Sequence, residues 1–229
     1  MPLNPSINKI VPGGGAPLVN YNYTDIIAGT GVITLYFGNT QTDSTTSGAV
    51  LTNKVFSSDY IITGVASGAA GGYGEMQNKT YSVQFNKPTT IDGEMITNIA
   101  SGIRGGEAGT FYSRIHLDVI KWDGTSETTL SSASGAMFTH GATGAQDYGY
   151  CIDGISNTIA RTKFGVGDEL RIKITQYGDA SNASGDWMFA TDPANRGTSG
   201  KEPVIGQSLT WGTATSQSVS YIPVLLDLP

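Results

Sequence analysis

Apolar and polar residues alternate with a period of two along several stretches of this chain, the pattern of strands with one buried and one wet face. The clearest run covers residues 169–175, where Leu170, Ile172 and Ile174 fall on one side and Glu169, Arg171 and Lys173 on the other. Phe164-Gly165-Val166-Gly167-Asp168 precedes it. Two glycines and an aspartate there predict a tight turn. A longer run spans residues 111–122. Ile115, Leu117 and Val119 share one face of it, and Arg114, His116, Asp118 and Ile120 share the other. Asp123-Gly124 then predicts a hairpin, with residues 127–130 as the return strand.

Weaker alternation predicts strands at 31–37, 53–56, 60–63, 80–85, 94–99, 150–152, 158–161, 187–189 and 218–226, with loops at 38–48, 66–74 and 104–109. Together these make roughly ten strands at the spacing of sandwiches and barrels. No helical period lies between them, so a parallel α/β sheet is not expected. The expected fold is all-β, an antiparallel β-sandwich of jelly-roll-like form. Residues 1–17 carry Pro2, Pro5, Pro12 and Pro17 around Gly13-Gly14-Gly15, which predicts an extended arm; residues 18–229 read as one domain. The closing strand is apolar almost to the last residue and is expected to pair in a sheet, with Pro223 at an edge or a bulge.

Composition agrees with many short strands. The 229 residues include 31 glycines, only 38% are hydrophobic and only 14% are charged. Gly, Ser, Thr and Asn, which fill the difference, are poor or indifferent helix formers. A net charge of −6 with 13 scattered basic residues argues against a nucleic-acid partner. No apolar run is long enough for a membrane-crossing helix, and no charged segment leading into an apolar core marks a secretory leader. Without a leader, the sequons at Asn22, Asn78 and Asn182 carry no weight. Cys151 is the single cysteine, so no intrachain disulfide can form, and a small buried hydrophobe is its expected role.

Candidate chemistry is sparse. His116 reads as a wet-face or inter-subunit histidine beside Arg114 and Asp118; His140 sits in a glycine-flanked loop with no carboxylate nearby in sequence. No nucleophile elbow, metal-ligand spacing or phosphate-cradling glycine loop is present, so no catalytic residue, cofactor or metal is expected. Asp118, Asp123, Asp147, Asp153 and Asp168 could converge as a glycosidase pair only through the fold. Trp122, Trp187 and Trp211, with eleven tyrosines, either fill the core and subunit contacts or stack on a glycan.

One resemblance stands out. The turn and strand from Phe164 to Ile172, then Asp192-Pro193-Ala194-Asn195-Arg196, then the closing hydrophobic strand resemble β-sandwich structural proteins of tailed bacteriophages. The likeness is sharp over the C-terminal third and general before it. It implies a non-enzymatic virion protein of the capsid-decoration or auxiliary-capsid type, assembled in the host cytoplasm. The major capsid protein or other virion proteins would be its partners, and a homo-oligomer, most simply a trimer, its state. Expected contacts are Pro2, Asn4, Pro5, Ile10 and Pro12 in the arm and Asp192 and Arg196 in the loop, where Pro193 would set the bend. A carbohydrate- or receptor-binding head on the same fold is the alternative.

Overall fold

A computed structural model describes residues 19–20, 29–41, 47–53, 61–68, 72–145, 147–181, 184–191, 200–201, 208–209 and 218–225. All regular structure in them is β. In chain order the strands are β1 (Val19–Asn20), β2 (Thr30–Gln41), β3 (Ser47–Thr52), β4 (Ile61–Gly68) and β5 (Gly74–Gln84). Then come β6 (Thr89–Gly105), β7 (Gly109–Trp122), β8 (Glu127–Ser134), β9 (Phe138–Ala142) and β10 (Asp147–Phe164). The last are β11 (Glu169–Ser181), β12 (Gly185–Thr191), β13 (Gly200–Lys201), β14 (Ser208–Leu209) and β15 (Val219–Leu225).

Fifteen segments replace the ten or so that the alternation suggested, and they differ in both directions. The signals at 150–152 and 158–161 are two parts of one strand, β10. The loop expected at 104–109 shrinks to residues 106–108, because β6 runs on to Gly105 and β7 starts at Gly109. Residues expected to form a loop around His140 are strand β9, paired with β7 from Gly109 to Ser113. The strand expected at 53–56 lies mostly outside the described residues.

The strands form one hydrogen-bonded network, ordered β14-β13-β4-β12-β6-β15-β2-β3-β5-β11-β7-β8, with β10 on the other edge of β6. That network folds over on itself as a sandwich. Strand β2 makes the corner: its first half, Thr30 to Tyr36, pairs with β15, and its second half, Tyr36 to Gln41, pairs with β3. One layer is therefore β4, β12, β6, β10, β15 and β2, and the facing layer is β3, β5, β11, β7, β8 and β9. Between them lie Ile33, Leu35 and Phe37 of β2, Ile91, Met95 and Ile99 of β6, and Ile155 and Ile159 of β10. Opposite them stand Tyr81 of β5, Ile115, Leu117 and Val119 of β7, and Leu170, Ile172 and Ile174 of β11. The inward faces of residues 111–122 and 169–175 are the ones that alternation assigned.

The turn at 164–168 is built as its residues require. Gly167 takes φ +92°, a conformation that a side chain disfavours. Gly165 N donates to Asp168 Oδ2 (2.8 Å) and Gly167 N donates to Phe85 O (2.9 Å), fastening the turn to the end of β5. Asp123 makes the β7–β8 hairpin in a similar way, accepting from the backbone N–H of Thr125 (2.9 Å) and Ser126 (2.8 Å) on Oδ1. Its return strand runs well past the expected residue 130, to Ser134.

Strand β15 is paired on both sides, to β2 and to β6, so it is central and not an edge. Its register against β6 slips between Tyr221 and Val224, which places Pro223, with no N–H to give, in a bulge. The bulge half of the expectation for Pro223 holds; the edge half does not.

Candidate functional site

The outer faces of the two layers differ sharply in chemistry. On the β2-β15-β6-β10 layer, four large apolar side chains stand out in solvent, one on each strand. They are Val32 (37% exposed), Tyr221 (40%), Ile96 (46%) and Ile152 (52%). Register ties three of them together, since Tyr221 lies opposite Ile96 and Pro223, two residues on, lies opposite Val32; Ile152 stands apart, opposite Ala100, four residues along β6 from Ile96. An exposed apolar residue needs no explanation singly, but Val32, Tyr221 and Ile96, brought together on three adjacent strands, make a patch.

The outer face of the other layer is polar and hydrogen-bonded. Across β5, β11, β7 and β8 one row reads Asn78, Thr175, His116, Ser134, and the next reads Thr80, Lys173, Asp118, Ser132. His116 Nδ1 lies 2.8 Å from Ser134 Oγ, and its Nε2 lies 3.2 Å from Asp118 Oδ1. A carboxylate can only accept, so Nε2 carries the ring proton and Nδ1 accepts from the Ser134 hydroxyl. Ser132 Oγ also donates to Asp118 Oδ1 (2.5 Å). At one end of this face Tyr177 meets the His116 ring edge-on (centroids 6.3 Å apart), and Tyr73 stacks on Tyr177 (6.0 Å, 16° between planes). At the other end the Arg171 guanidinium sits over the Trp122 ring at 4.4 Å and pairs with Glu127 and Glu169.

Serine, histidine and aspartate thus come together on this face: His116 and Asp118 share the strand face that alternation assigned, and Ser134 joins them only through the β7–β8 pairing. All three sit on strands of an open sheet, and Ser134 is exposed. Catalytic triads work in water-excluded sites, where donors to a developing oxyanion are strong. This trio lacks that setting and is a surface hydrogen-bond chain.

Of the candidate carboxylates, three are shifted away from what a glycosidase acid requires. Asp123 and Asp168 both feel Lys121, and both are held below the ordinary carboxylate range. Asp123 is lowered first by the N–H groups of Ser126 and Thr125, Asp168 first by Gly165 N and then by Lys121. A glycosidase acid needs the opposite shift. Asp147 is likewise lowered, first by the N–H of Thr143, and lies 3.6 Å from His140 Nε2. His140, which has no carboxylate nearby in sequence, thus gains one in space, because β9 and the start of β10 fold against each other. Asp153 alone is raised, by burial, and it stands with Ser101 (2.7 Å) and Cys151 (3.5 Å) between the layers.

Cys151 departs from a plain buried hydrophobe. It is half-buried, 3.1 Å from Ser101 Oγ, and burial together with the Asp153 charge pushes its thiol up to about 12. A thiol held protonated at neutral pH is no nucleophile. Trp187 is fully buried and donates from Nε1 to Tyr112 O (2.7 Å), packing on Phe111. It is a core tryptophan. Trp122 is half-buried beneath Arg171, and Trp211 lies outside the described residues. No group of three or more His, Cys, Asp or Glu side chains able to hold a metal occurs among the described residues. No helix there is long and apolar enough to cross a membrane. Pro2, Asn4, Pro5, Ile10, Pro12, Asp192 and Arg196, the contact residues expected from sequence, all lie outside the described residues.

No family model and no curated protein matches this sequence. Among solved structures, an aminopeptidase from a marine-sediment Thaumarchaeota archaeon is similar in fold, at 9% identity and a TM-score of 0.50. The match covers 86% of this chain and 37% of the aminopeptidase. A CocE/NonD family hydrolase from Staphylococcus aureus aligns over 86% of this chain and 36% of its own, at 13% identity and a TM-score of 0.49. This chain therefore spans little more than a third of either protein. At such identities the likeness is one of fold alone.

Proposed function

We propose that this chain is a non-enzymatic structural protein of a phage virion, adhering to the capsid or a neighbouring virion protein through the outer face of the β2-β15-β6-β10 layer. The observation that carries the reading is the apolar patch of Val32, Ile96 and Tyr221 on a broad sheet face. A docking protein needs area and shape, with no chemistry, and apolar surface withheld from water drives association. The likeness of residues 164–172 and 192–196 to tailed-phage β-sandwich proteins supplies the kind of partner. The acidic balance of the chain, net −6, keeps such a surface off the packaged genome. Hydrolytic activity is not carried over from the structural neighbours, whose likeness to this chain is one of fold alone.

The test uses virions in which this chain carries Val32→Lys, Ile96→Lys and Tyr221→Lys together. All three side chains point to solvent, so the isolated variant should melt within a few degrees of the parent. Purified particles should then retain about a tenth or less of the normal amount of the chain. Full retention by a folded variant, or absence of the unaltered chain from purified virions, overturns the proposal.

A further inference from the structure

The open edges of this sandwich gather on one wall. Among the described residues, every strand longer than two residues is paired on both sides except β8, β9 and β10. Strands β8 and β9 lie in line along β7, and β10 runs over both of them. Asn157 Nδ2 donates to Ser131 Oγ of β8 (3.2 Å), and His140 Nε2 of β9 lies 3.3 Å from Asp147 O. We propose that this wall joins two copies of the chain, with β10 pairing antiparallel to β10 of the second copy about a two-fold axis at Gly154.

A strand edge offers its N–H and C=O groups to any strand that reaches it, so proteins blunt such edges with Lys, Pro or bulges. Strand β10 contains no Pro, and from Tyr148 to Ala160 it contains no Lys or Arg. The one charged residue within that run, Asp153, turns inward to Ser101 (2.7 Å) and stays between the layers. The one bulge follows Ile159 and ends the run. Two large apolar side chains stand exposed on the same wall. They are Ile152 (52%), near the middle of β10, and Met137 (46%), in the connection from β8 to β9. Gly135, two residues before Met137, lies against Asp153, one residue after Ile152. A second copy on this wall withdraws apolar surface from water at the centre of the joint.

Charge selects this occupant and its direction. Strand β10 begins at Asp147 and ends with Arg161 and Lys163, both exposed, so its two ends differ in sign. An antiparallel copy sets the acidic end of each β10 beside the basic end of the other, whereas a parallel copy sets like beside like. Pairing about Gly154 brings Ile152 opposite Ser156 of the second copy, Tyr150 opposite Thr158, and Asp147 level with Arg161. No two like charges meet in that register. The joint closes at two copies, because both surfaces are consumed by a two-fold axis. That axis crosses the layer, so the Val32, Ile96 and Tyr221 patches of both copies face the same way.

The experiment is sedimentation of the purified full chain. At about 50 μM it should run at twice the 24.0 kDa of one chain, with a dissociation constant on the order of micromolar. Ile152→Lys together with Ser156→Lys charges the outward side of the edge and should raise that constant about tenfold or more. An unchanged circular dichroism spectrum keeps loss of pairing separate from loss of fold. Gly154→Cys reads the register. A Cβ there comes no nearer than 3.5 Å to Asn98 Oδ1, so the strand accepts it. Residues directly opposite lie about 4.5–5.5 Å apart at Cα, so the two thiols should link into a covalent dimer under mild oxidation. The parent, whose Cys151 is half-buried beside Ser101 and Asp153, should stay unlinked. A single-chain mass at that concentration, a trimer, a dimer indifferent to the two lysines, or a dimer that Gly154→Cys does not link overturns the proposal. Particle docking is read on virions and through the outer face, so either reading can fail without the other.

Discussion

Single residues carry two different kinds of information in this fold, and the inward ones were the easier to read. Leu170 and Ile172 are fully buried among β5 and β7 neighbours. Truncating either to Ala removes methyl groups from a packed interior and should destabilise the chain by about 2–5 kcal/mol, read from denaturant unfolding. A loss below about 1 kcal/mol would reverse the assignment of faces along β11. Gly178 was silent in the sequence. A Cβ there would run into the Trp187 indole, so Gly178→Ala must displace the ring and the bond it gives to Tyr112 O. That variant should show altered tryptophan emission with lowered stability. The polar residues facing inward, Asp153 and Asn157 of β10, broke the alternation that would have revealed one long strand. Their partners, Ser101 for Asp153 and Ser131 for Asn157, lie on other strands and are invisible to any local pattern. Asp153 also has a consequence for pH. Burial raises its folded pKa above the unfolded value, so its ionisation opposes folding above that folded value, and the penalty is relieved as pH falls toward the unfolded pKa. Asp153→Asn keeps an acceptor for Ser101 and should be at least as stable as the parent at pH 7, with any advantage over the parent shrinking as pH drops from the folded pKa toward the unfolded one. A variant markedly less stable at neutral pH would show that the charge itself is needed.

At the scale of elements, turns were legible because their chemistry is local. Gly165, Gly167 and Asp168 announce the β10–β11 turn, and Asp123-Gly124 the β7–β8 hairpin, through residues that bond their own backbone. The carboxyl groups of Asp123 and Asp168 are both depressed, by N–H donors that exist only when the turns are formed. Their contribution is present above the unfolded carboxylate pKa and is lost as pH falls through the lower folded values. Asp123→Ala and Asp168→Ala should therefore lower the melting temperature at pH 7 and have a much smaller effect at a pH below both folded values, where the groups are protonated in either state. Equal effects at the two pH values would assign the turns to backbone preference alone. Long strands were read poorly for a related reason. β6 runs for 17 residues and β10 for 18, and each crosses glycines and buried polar residues that look like punctuation. Strand β9 hides its role behind Gly141 and His140, and only its pairing with β7 shows it.

Over the whole molecule, the order of strands sets how the chain can fold. The last strand, β15, fills the gap between β2 and β6, two strands that it alone bridges in that part of the layer. Inside it, Ser220 Oγ meets Thr97 Oγ1 at 2.6 Å across a separation of 123 residues, and Ala100 N donates to Ser218 Oγ. Until β15 arrives, β2 and β6 each present an unpaired edge, and Ile222 and Val224 are missing from the core. Loop-closure entropy must therefore be met late and over the full length of the chain, which slows folding for sandwiches of this kind. Refolding from denaturant should be slow, with a main phase on the order of milliseconds to seconds or slower, measured by stopped-flow tryptophan emission. A chain ending at residue 217 should not reach the native state at all: it should bind hydrophobic dyes, expose its sheet edges and aggregate. Removal of residues 1–17 is the contrasting cut, because their prolines and glycines predict an extended arm outside the alternating strands. That truncation should leave melting within a few degrees of the parent and weaken retention on particles. If the chain ending at 217 instead unfolds cooperatively with near-native stability, β2 and β6 must close on each other directly, and the central place of β15 in this sandwich is wrong.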